Sequence, residues 1–285
     1  MKKASICFLF SILNVYAVEF QTVHSSMHSY IENIKFENSK QKNDGVVFGI
    51  GADIHIGASE YKFTYENGNT DTKKPPLNKD LKIDKIFLQY SYKFNDKIST
   101  NINYININDN IAITDNGKAY GVGLSFRANK KLSTNLTQFY VDYKYFDTYQ
   151  SDLSTDYKIK IENIKLKLSS NIKYIEIEEK QRNAFTKNAK NNYLTYGLKV
   201  HSHYNSWHFG MASYFGKRVF AIMNSGFKIQ HHAMEFEKTF AVGIGKTFGK
   251  TIVRLQHIYQ KATELPIQNS DVKVNNTRLI ISYKW

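Results

Sequence analysis

The chain has 285 residues, a mean hydropathy of −0.46, and 20 Tyr, 19 Phe and 2 Trp against 3 Pro and 1 Cys. It is too aromatic to be disordered and too poor in Pro and Cys to be collagen-like or a disulfide scaffold, and beyond the N-terminus no apolar run approaches the roughly 18 residues of a transmembrane helix. The formal net charge is +14, yet only Arg127, Arg182, Arg218, Arg254 and Arg278 among the 39 bases are arginine, and nucleic-acid readers lean on arginine.

Residues 1–17 read MKKASICFLFSILNVYA. Lys2 and Lys3 form a positive start, Ile6 to Leu13 an apolar stretch, and Val15-Tyr16-Ala17 a cleavage site. This is the pattern of a secretory signal peptide, cut after Ala17. Cys7 lies within it, so the remaining chain carries no thiol and its formal charge becomes +12. Cys nucleophiles, zinc–thiolate sites and disulfides are thereby excluded. An exported chain does not meet cytoplasmic nucleic acid, so none is expected as a partner.

Residues 18–44 form an N-terminal segment. In it Met27, Tyr30, Ile31 and Ile34 have helical spacing, which suggests a short helix or a plug.

From residue 45 to 285 the period is two, in segments of about ten residues, as in half-lipid, half-water strands. Val46, Phe48, Ile50, Ala52, Ile54 and Ile56 share a face, and Tyr61, Phe63 and Tyr65 continue on the other parity after a bulge near Gly57. Ile86 to Phe94 follows, then Ile98 to Ile107 with ambiguous parity, then Tyr120, Val122, Leu124 and Phe126. Phe139, Val141, Tyr143 and Tyr145 read as the next lipid face; Ile164 to Leu168 and Ile172 to Ile177 read as two strands around a turn at 169–171. Leu194 to Val200, Trp207 to Phe215, Phe240 to Ile244, Val253 to Tyr259 and Thr277 to Trp285 complete the pattern.

Short connections at 95–97, 128–131, 169–171, 204–206 and 249–250 alternate with long ones at 67–80, 109–117, 146–157, 180–192, 217–235 and 262–272. Such sorting marks an all-β, transmembrane, up-and-down antiparallel barrel of the outer membrane. Twelve strands is the preferred count. The alternative of fourteen splits a hairpin at Gly57 and adds a strand near 30–37.

The chain closes Leu279-Ile280-Ile281-Ser282-Tyr283-Lys284-Trp285. This resembles the C-terminal β-signal of bacterial outer-membrane proteins, with Leu279, Ile281, Tyr283 and Trp285 on its apolar parity. The resemblance implies recognition by the barrel-assembly machinery. The wider likeness, over about 46–285, is to porin-like outer-membrane proteins and is one of pattern. It implies a location in the cell outer membrane, contact with outer-membrane lipid, and passive diffusion of small polar, anionic solutes with no cofactor.

The polar parity lists lumen candidates: Lys62, Gln89, Lys93, Gln138, Asp142, Lys144, Lys165, Lys167, Lys173, Lys199, Arg254, Arg278 and Lys284. Inward bases lower the energy of an anion in a confined passage. Equally open is that they are solvated at the mouths or pair with Glu66, Asp142 and Glu176. Gly121, Gly123, Gly210, Gly243 and Gly245 share that parity, leaving room inside or relieving strain in a small barrel.

Segment 217–235 breaks the alternation with apolar residues where a polar loop belongs. It is expected to fold into the lumen as a constriction, bringing Lys217, Arg218, His231 and His232 to the pore; the other reading is a strand pair continuing above the membrane.

Two chemical readings are weaker. His201, His203 and His208 fit a cross-hairpin metal site, but no acidic residue adjoins them. Outer-membrane phospholipase A, also a barrel, uses a His-x-Ser pair with a later Asn; His24-Ser25-Ser26 and Asn38 match the spacing, outside the alternating region. An outer-membrane lipase or protease, or a structural or adhesive surface barrel, are therefore the alternatives. The outside loops are short for an adhesin.

Overall fold

The computed structural model describes residues 23–74, 77–110, 113–181, 183, 186 and 188–285. The signal peptide expected at 1–17, with Cys7, lies outside them. Sixteen strands follow in chain order: β1 (Val23–Glu37), β2 (Lys42–Ile56), β3 (Ser59–Thr72), β4 (Leu81–Lys93), β5 (Ile98–Asp109), β6 (Lys118–Arg127), β7 (Leu132–Asp142), β8 (Phe146–Ile161), β9 (Ile164–Glu179), β10 (Asn192–Tyr204), β11 (Trp207–Arg218), β12 (Ile222–Met223), β13 (Lys228–Ile229), β14 (Met234–Phe248), β15 (Thr251–Glu264) and β16 (Asn269–Lys284). All but β12 and β13 form one closed antiparallel barrel, in which β1 pairs with both β2 and β16. Closure removes the edges that an open sheet would expose.

Local chemistry explains the turns at one end. Gly57, Glu162, Asn205 and Gly249 have φ of 58°, 51°, 52° and 57° and open two-residue hairpins, whose favoured turns demand positive φ. In two four-residue turns an asparagine does the work. The Asn95 side-chain oxygen accepts from the N–H groups of Lys97 and Ile98 at 2.8 and 2.9 Å, and Asn129 accepts from Lys131 and Leu132 at 2.8 and 3.0 Å. Both described termini of the barrel lie at this tight-turn end, where Ser26 stands opposite Lys284.

The outward face is apolar. Leu88, Ile102, Val122, Leu136, Leu198, Met211 and Val242 are exposed at mid-strand. Tyr61, Tyr92, Phe126, Tyr157, Tyr204, Trp207 and Tyr283 lie toward the tight turns, and Tyr120, Tyr149, Tyr174, Tyr196, Phe215 and Phe240 toward the other end. On β8, Tyr149 and Tyr157 are about 26 Å apart at about 3.3 Å per residue, which at a tilt of about 40° spans roughly 20 Å of bilayer, close to the apolar band of outer-membrane barrels. These are the two aromatic girdles of such a barrel.

The barrel has fourteen strands, the alternative count, not the preferred twelve. Gly57 opens a hairpin turn and not a bulge, and residues 23–37 are a strand and not a helix. Met27 and Ile31 point outward while Tyr30 and Ile34 are buried inside. Apolar residues on both faces of one strand imitate helical spacing.

The stretch 146–157 belongs to β8, and 169–171 lies within the continuous strand β9. Small polar residues on the outward parity of β8, Ser151 and Thr155, dilute its alternation. Phe139, Val141 and Tyr143 face inward, at 4%, 0% and 1% exposure, so Gln138 and Asp142 of the lumen set face outward. The assumption that the apolar parity meets lipid fails here because the lumen itself holds apolar chain.

Candidate functional site: a hairpin across the lumen and a basic vestibule

The segment between β11 and β14 enters the barrel. Its departure is set by Gly216, with φ 93°, at a break in the register between Phe215 and Arg218. A Cβ on Gly216 would stand 2.3 Å from the Leu194 carbonyl oxygen, so only glycine fits. After this break Arg218 and residues 219–223 turn inward and are buried.

Strands β12 and β13 then form a small hairpin, with Ile222 opposite Ile229 and Met223 opposite Lys228. Residues 224–226 turn it. At the tip, the Ser225 carbonyl accepts from Gln89 Nε2 at 3.1 Å, and Gly226 lies against Asn103. Gln89 is on β4 and Asn103 on β5. In the ring of fourteen strands β4 stands seven places from β11 in either direction, so the hairpin crosses the full width of the lumen.

On the β4–β10 side of the crossing the space is filled with apolar side chains. Val219, Phe220, Ala221 and Ile222 pack with Phe87, Ile105, Ile107, Phe139, Val141, Tyr143, Phe146, Ile175, Ile177 and Tyr193. The Phe220 ring lies 4.7 Å from that of Phe146 and 5.8 Å from that of Tyr143. Burying each such side chain stabilises by about 1.5–3 kcal/mol.

The other side is charged. Glu32 accepts from Arg278 Nε at 2.5 Å and from Asn276, and Lys228 of the hairpin lies 3.3 Å from it. Glu66 pairs with Lys85 at 2.5 Å and accepts from the Tyr30 hydroxyl. Arg278 stacks over the Tyr30 ring at 4.1 Å and lies 3.9 Å from Glu66. Three cations and two carboxylates thus stand together, with Glu32, Glu66 and Lys85 buried and Arg278 and Lys228 partly so. Mutual pairing offsets a desolvation cost of several kcal/mol per ion.

Between the crossing and the tight-turn end lies a cavity of about 430 Å³, lined by the inward faces of β10, β11, β14 and β15. Its charged walls are Lys199, Arg218, Lys228 and Arg254, with His201, His203 and His208; none of its lining residues is acidic. Beyond the crossing lies a pocket of about 60 Å³ against Glu32, Glu66, His231, His232 and Arg278. The two spaces share Lys228, Gln230 and Gln260, the side chains that stand between them.

Lys165, Lys167, Lys199, Arg254 and Arg278 all stand on the inward parity of their strands. Lys167 pairs with Asp156 at 3.0 Å, and Lys173 with Asp152. Arg218, His231 and His232 are within the barrel, the two imidazoles 4.2 Å apart, and His232 is edge-on to Phe36 at 5.4 Å. Lys217 is not brought to this site. It is half-exposed at the rim, paired with Glu235 at 2.6 Å and Glu237 at 3.5 Å, because it keeps the outward parity of Phe215 on β11.

His203 and His208 touch, but His208 is bonded to the Thr247 hydroxyl at 2.6 Å, and no set of three metal-ligating side chains stands together among the described residues. His24 and Asn38 lie at opposite ends of β1, about 46 Å apart at 3.3 Å per residue, so they share no site. Leu279, Ile281, Tyr283 and Trp285 are exposed on the outer face, with the last two rings stacked at 6.3 Å.

The sequence pattern pointed to Glu66 only as a partner of lumen bases, and Glu176, named with it, is exposed on the outward parity. Glu32, Lys85, Lys228 and Gln150 were not singled out at all. The available signal was polar residues inside alternating strands on the inward parity.

No protein-family model matches the chain, and no curated protein matches it in sequence. Solved structures do resemble it. A bacterial polysaccharide outer membrane secretin has a TM-score of 0.54 at 8% identity, over 91% of this chain and 98% of that one. The toluene transporter TbuX of Ralstonia pickettii has a TM-score of 0.56 at 7% identity, over 93% and 89%. The monoaromatic hydrocarbon channel CymD has a TM-score of 0.52 at 11% identity, over 93% and 88%. The chain has the fold of the Gram-negative outer-membrane β-barrels, closed by fourteen antiparallel strands.

Proposed function

We propose that the protein is a porin-like channel of the outer membrane that passes small anionic solutes by diffusion, with the inserted hairpin as its constriction. The observation that carries this reading is the vestibule whose lining includes Lys199, Arg218, Lys228 and Arg254 and no carboxylate. In a passage walled by low-dielectric protein, fixed cations lower the energy of an anion and raise that of a cation. In this reading the side chains shared by the two cavities, Lys228, Gln230 and Gln260, form the neck of the passage and set its size limit. The reading includes export through the N-terminal signal, insertion through the C-terminal aromatic strand, and transport without chemistry or cofactor.

Planar-bilayer recording of the refolded barrel across a salt gradient tests it. An anion-selective reversal potential is expected. A cation-selective one, or no current at all, overturns it.

A further inference from the structure

The vestibule does more than bias passing ions, because one of its cations is held without a counter-ion. Arg218 is fully buried. Its Nη2 donates to the Thr239 hydroxyl, while Nε and Nη1 have no acceptor. Among the described residues no carboxylate forms an ion pair with it, in contrast to Arg278, whose guanidinium is occupied by Glu32. A buried guanidinium with free donors is unfavourable unless something outside the chain completes it.

Its surroundings say what. Arg218 lines the 430 Å³ cavity, a volume in the usual range of small-molecule sites of about 300–1,000 Å³. The Arg218 guanidinium carbon and the Lys199 ammonium each lie 5.6 Å from the centre of the Tyr214 ring, so both cations lie against that one aromatic side chain, and the guanidinium lies at 5.6 Å from the Phe236 ring as well. Met223, Ile258 and Ile280 supply apolar wall in the same cavity. Fixed donors beside a ring and aliphatic side chains match an oxyanion carried on an apolar body.

We propose that the vestibule is a binding site for a small organic carboxylate, whose carboxylate is held by Arg218 with Lys199 beside it and whose hydrocarbon part lies against Tyr214, Met223 and Ile258. This deepens the anion-channel reading and rests on it for the ligand's route. Guanidinium suits a carboxylate because its planar donors match planar acceptors. A channel with such a site conducts its ligand with saturation, and the ligand slows the passage of simple ions.

Calorimetric titration of the refolded full-length barrel in chloride buffer, with benzoate as the probe and benzyl alcohol as its neutral match, tests the site. Saturable benzoate binding is expected, about tenfold or more weaker for benzyl alcohol and in Arg218→Met, since a charge-assisted bond is lost. Lys199→Met is expected to weaken it less, and Lys217→Met, at the outer rim, to leave it unchanged. Should Arg218→Met fail to fold, Arg218→Lys keeps the buried charge and removes the planar donors; it too is expected to bind benzoate more weakly. Equal affinity in the folded Arg218 variant, equal binding of benzyl alcohol, or no saturable binding overturns the site. Bilayer current from the same preparation separates the two readings. Anion-selective current without saturable binding overturns the site and leaves the channel. Saturable, Arg218-dependent binding without current overturns the channel and supports the site.

Discussion

Gln150 holds Ile222 by both of its backbone groups. Its Nε2 donates to the Ile222 carbonyl and its Oε1 accepts from the Ile222 N–H, each at 2.8 Å. A barrel-wall side chain thus does for the hairpin what a neighbouring strand would do. The same Nε2 reaches Asp152 at 2.9 Å, which is itself paired with Lys173. The clamp is therefore fixed from behind.

Replacing this clamp tests how firmly the hairpin is seated. Gln150→Leu removes three buried hydrogen bonds, two to Ile222 and one to Asp152, worth about 1 kcal/mol each, and leaves the Ile222 groups without these partners. Single-channel records are expected to show frequent excursions to a larger conductance, with the folded barrel retained on semi-native gels. A record as quiet as that of the unaltered protein contradicts the clamp.

Removing the crossing altogether is the stronger change. Deletion of residues 220–232 takes out the apolar insert together with Lys228, Gln230, His231 and His232. A several-fold larger single-channel conductance is expected. Unchanged conductance would show that the hairpin does not limit the pore.

The charged cluster gives a prediction of opposite sign for its two kinds of member. Glu32→Gln leaves Arg278 and Lys228 short of a carboxylate, so stability falls by about 3–5 kcal/mol while anion selectivity rises. Lys228→Met removes the hairpin's own charge from the neck, so anion selectivity falls. Denaturant unfolding in detergent and reversal potentials measure the two effects. Selectivity shifts in the same direction for both variants would contradict the charge assignment.

Phe220 tests the apolar seal. Phe220→Ala opens a cavity beside Tyr143 and Phe146 and costs about 3–5 kcal/mol of hairpin packing. The loss is expected as new protease cleavage within 219–233 while the strands stay protected. Cleavage confined to other loops would count against the seal.

Lys217 and Arg218 adjoin in sequence and separate in space, so they form a matched control. Lys217 is itself half-exposed, pairs with the buried Glu235 and the partly exposed Glu237, and is not among the residues lining the vestibule. Lys217→Met is expected to leave selectivity unchanged, whereas Arg218→Met lowers it. A Lys217 effect as large as that of Arg218 would place the rim on the ion path.

The outer surface was largely legible from period two, because lipid demands apolar residues at every second position of each strand. Leu198, Val200, Met211 and Val242 were placed correctly for that reason, and the turns at Asn95 and Asn129 follow from side-chain capping. Phe139, Val141 and Tyr143 were placed on the wrong face, and Tyr30 and Ile34 suggested a helix, for a single cause. A lumen filled by an apolar hairpin makes the inner parity as apolar as the outer one, and periodicity then carries no sign. The break at 217–235 and its turn into the lumen were legible; its partners there were not, since Gln150 and Gln89, which receive it, look like any other polar strand residue. Glu32 and Glu66 acquire meaning only through register, which brings Arg278 from the far end of the chain to β1.

The division of the lumen also imposes an order on assembly. The apolar partners of the hairpin lie mostly on strands β4 to β11, which precede it in the chain, so the hairpin can settle as soon as it is made. The charged cluster draws Glu32 and Glu66 from the first three strands and Arg278 from the last. Those carboxylates meet their arginine only when the first and last strands zip together. The salt-bridged cluster is therefore a latch on the seam of the barrel, and its completion marks the moment at which the ring is sealed.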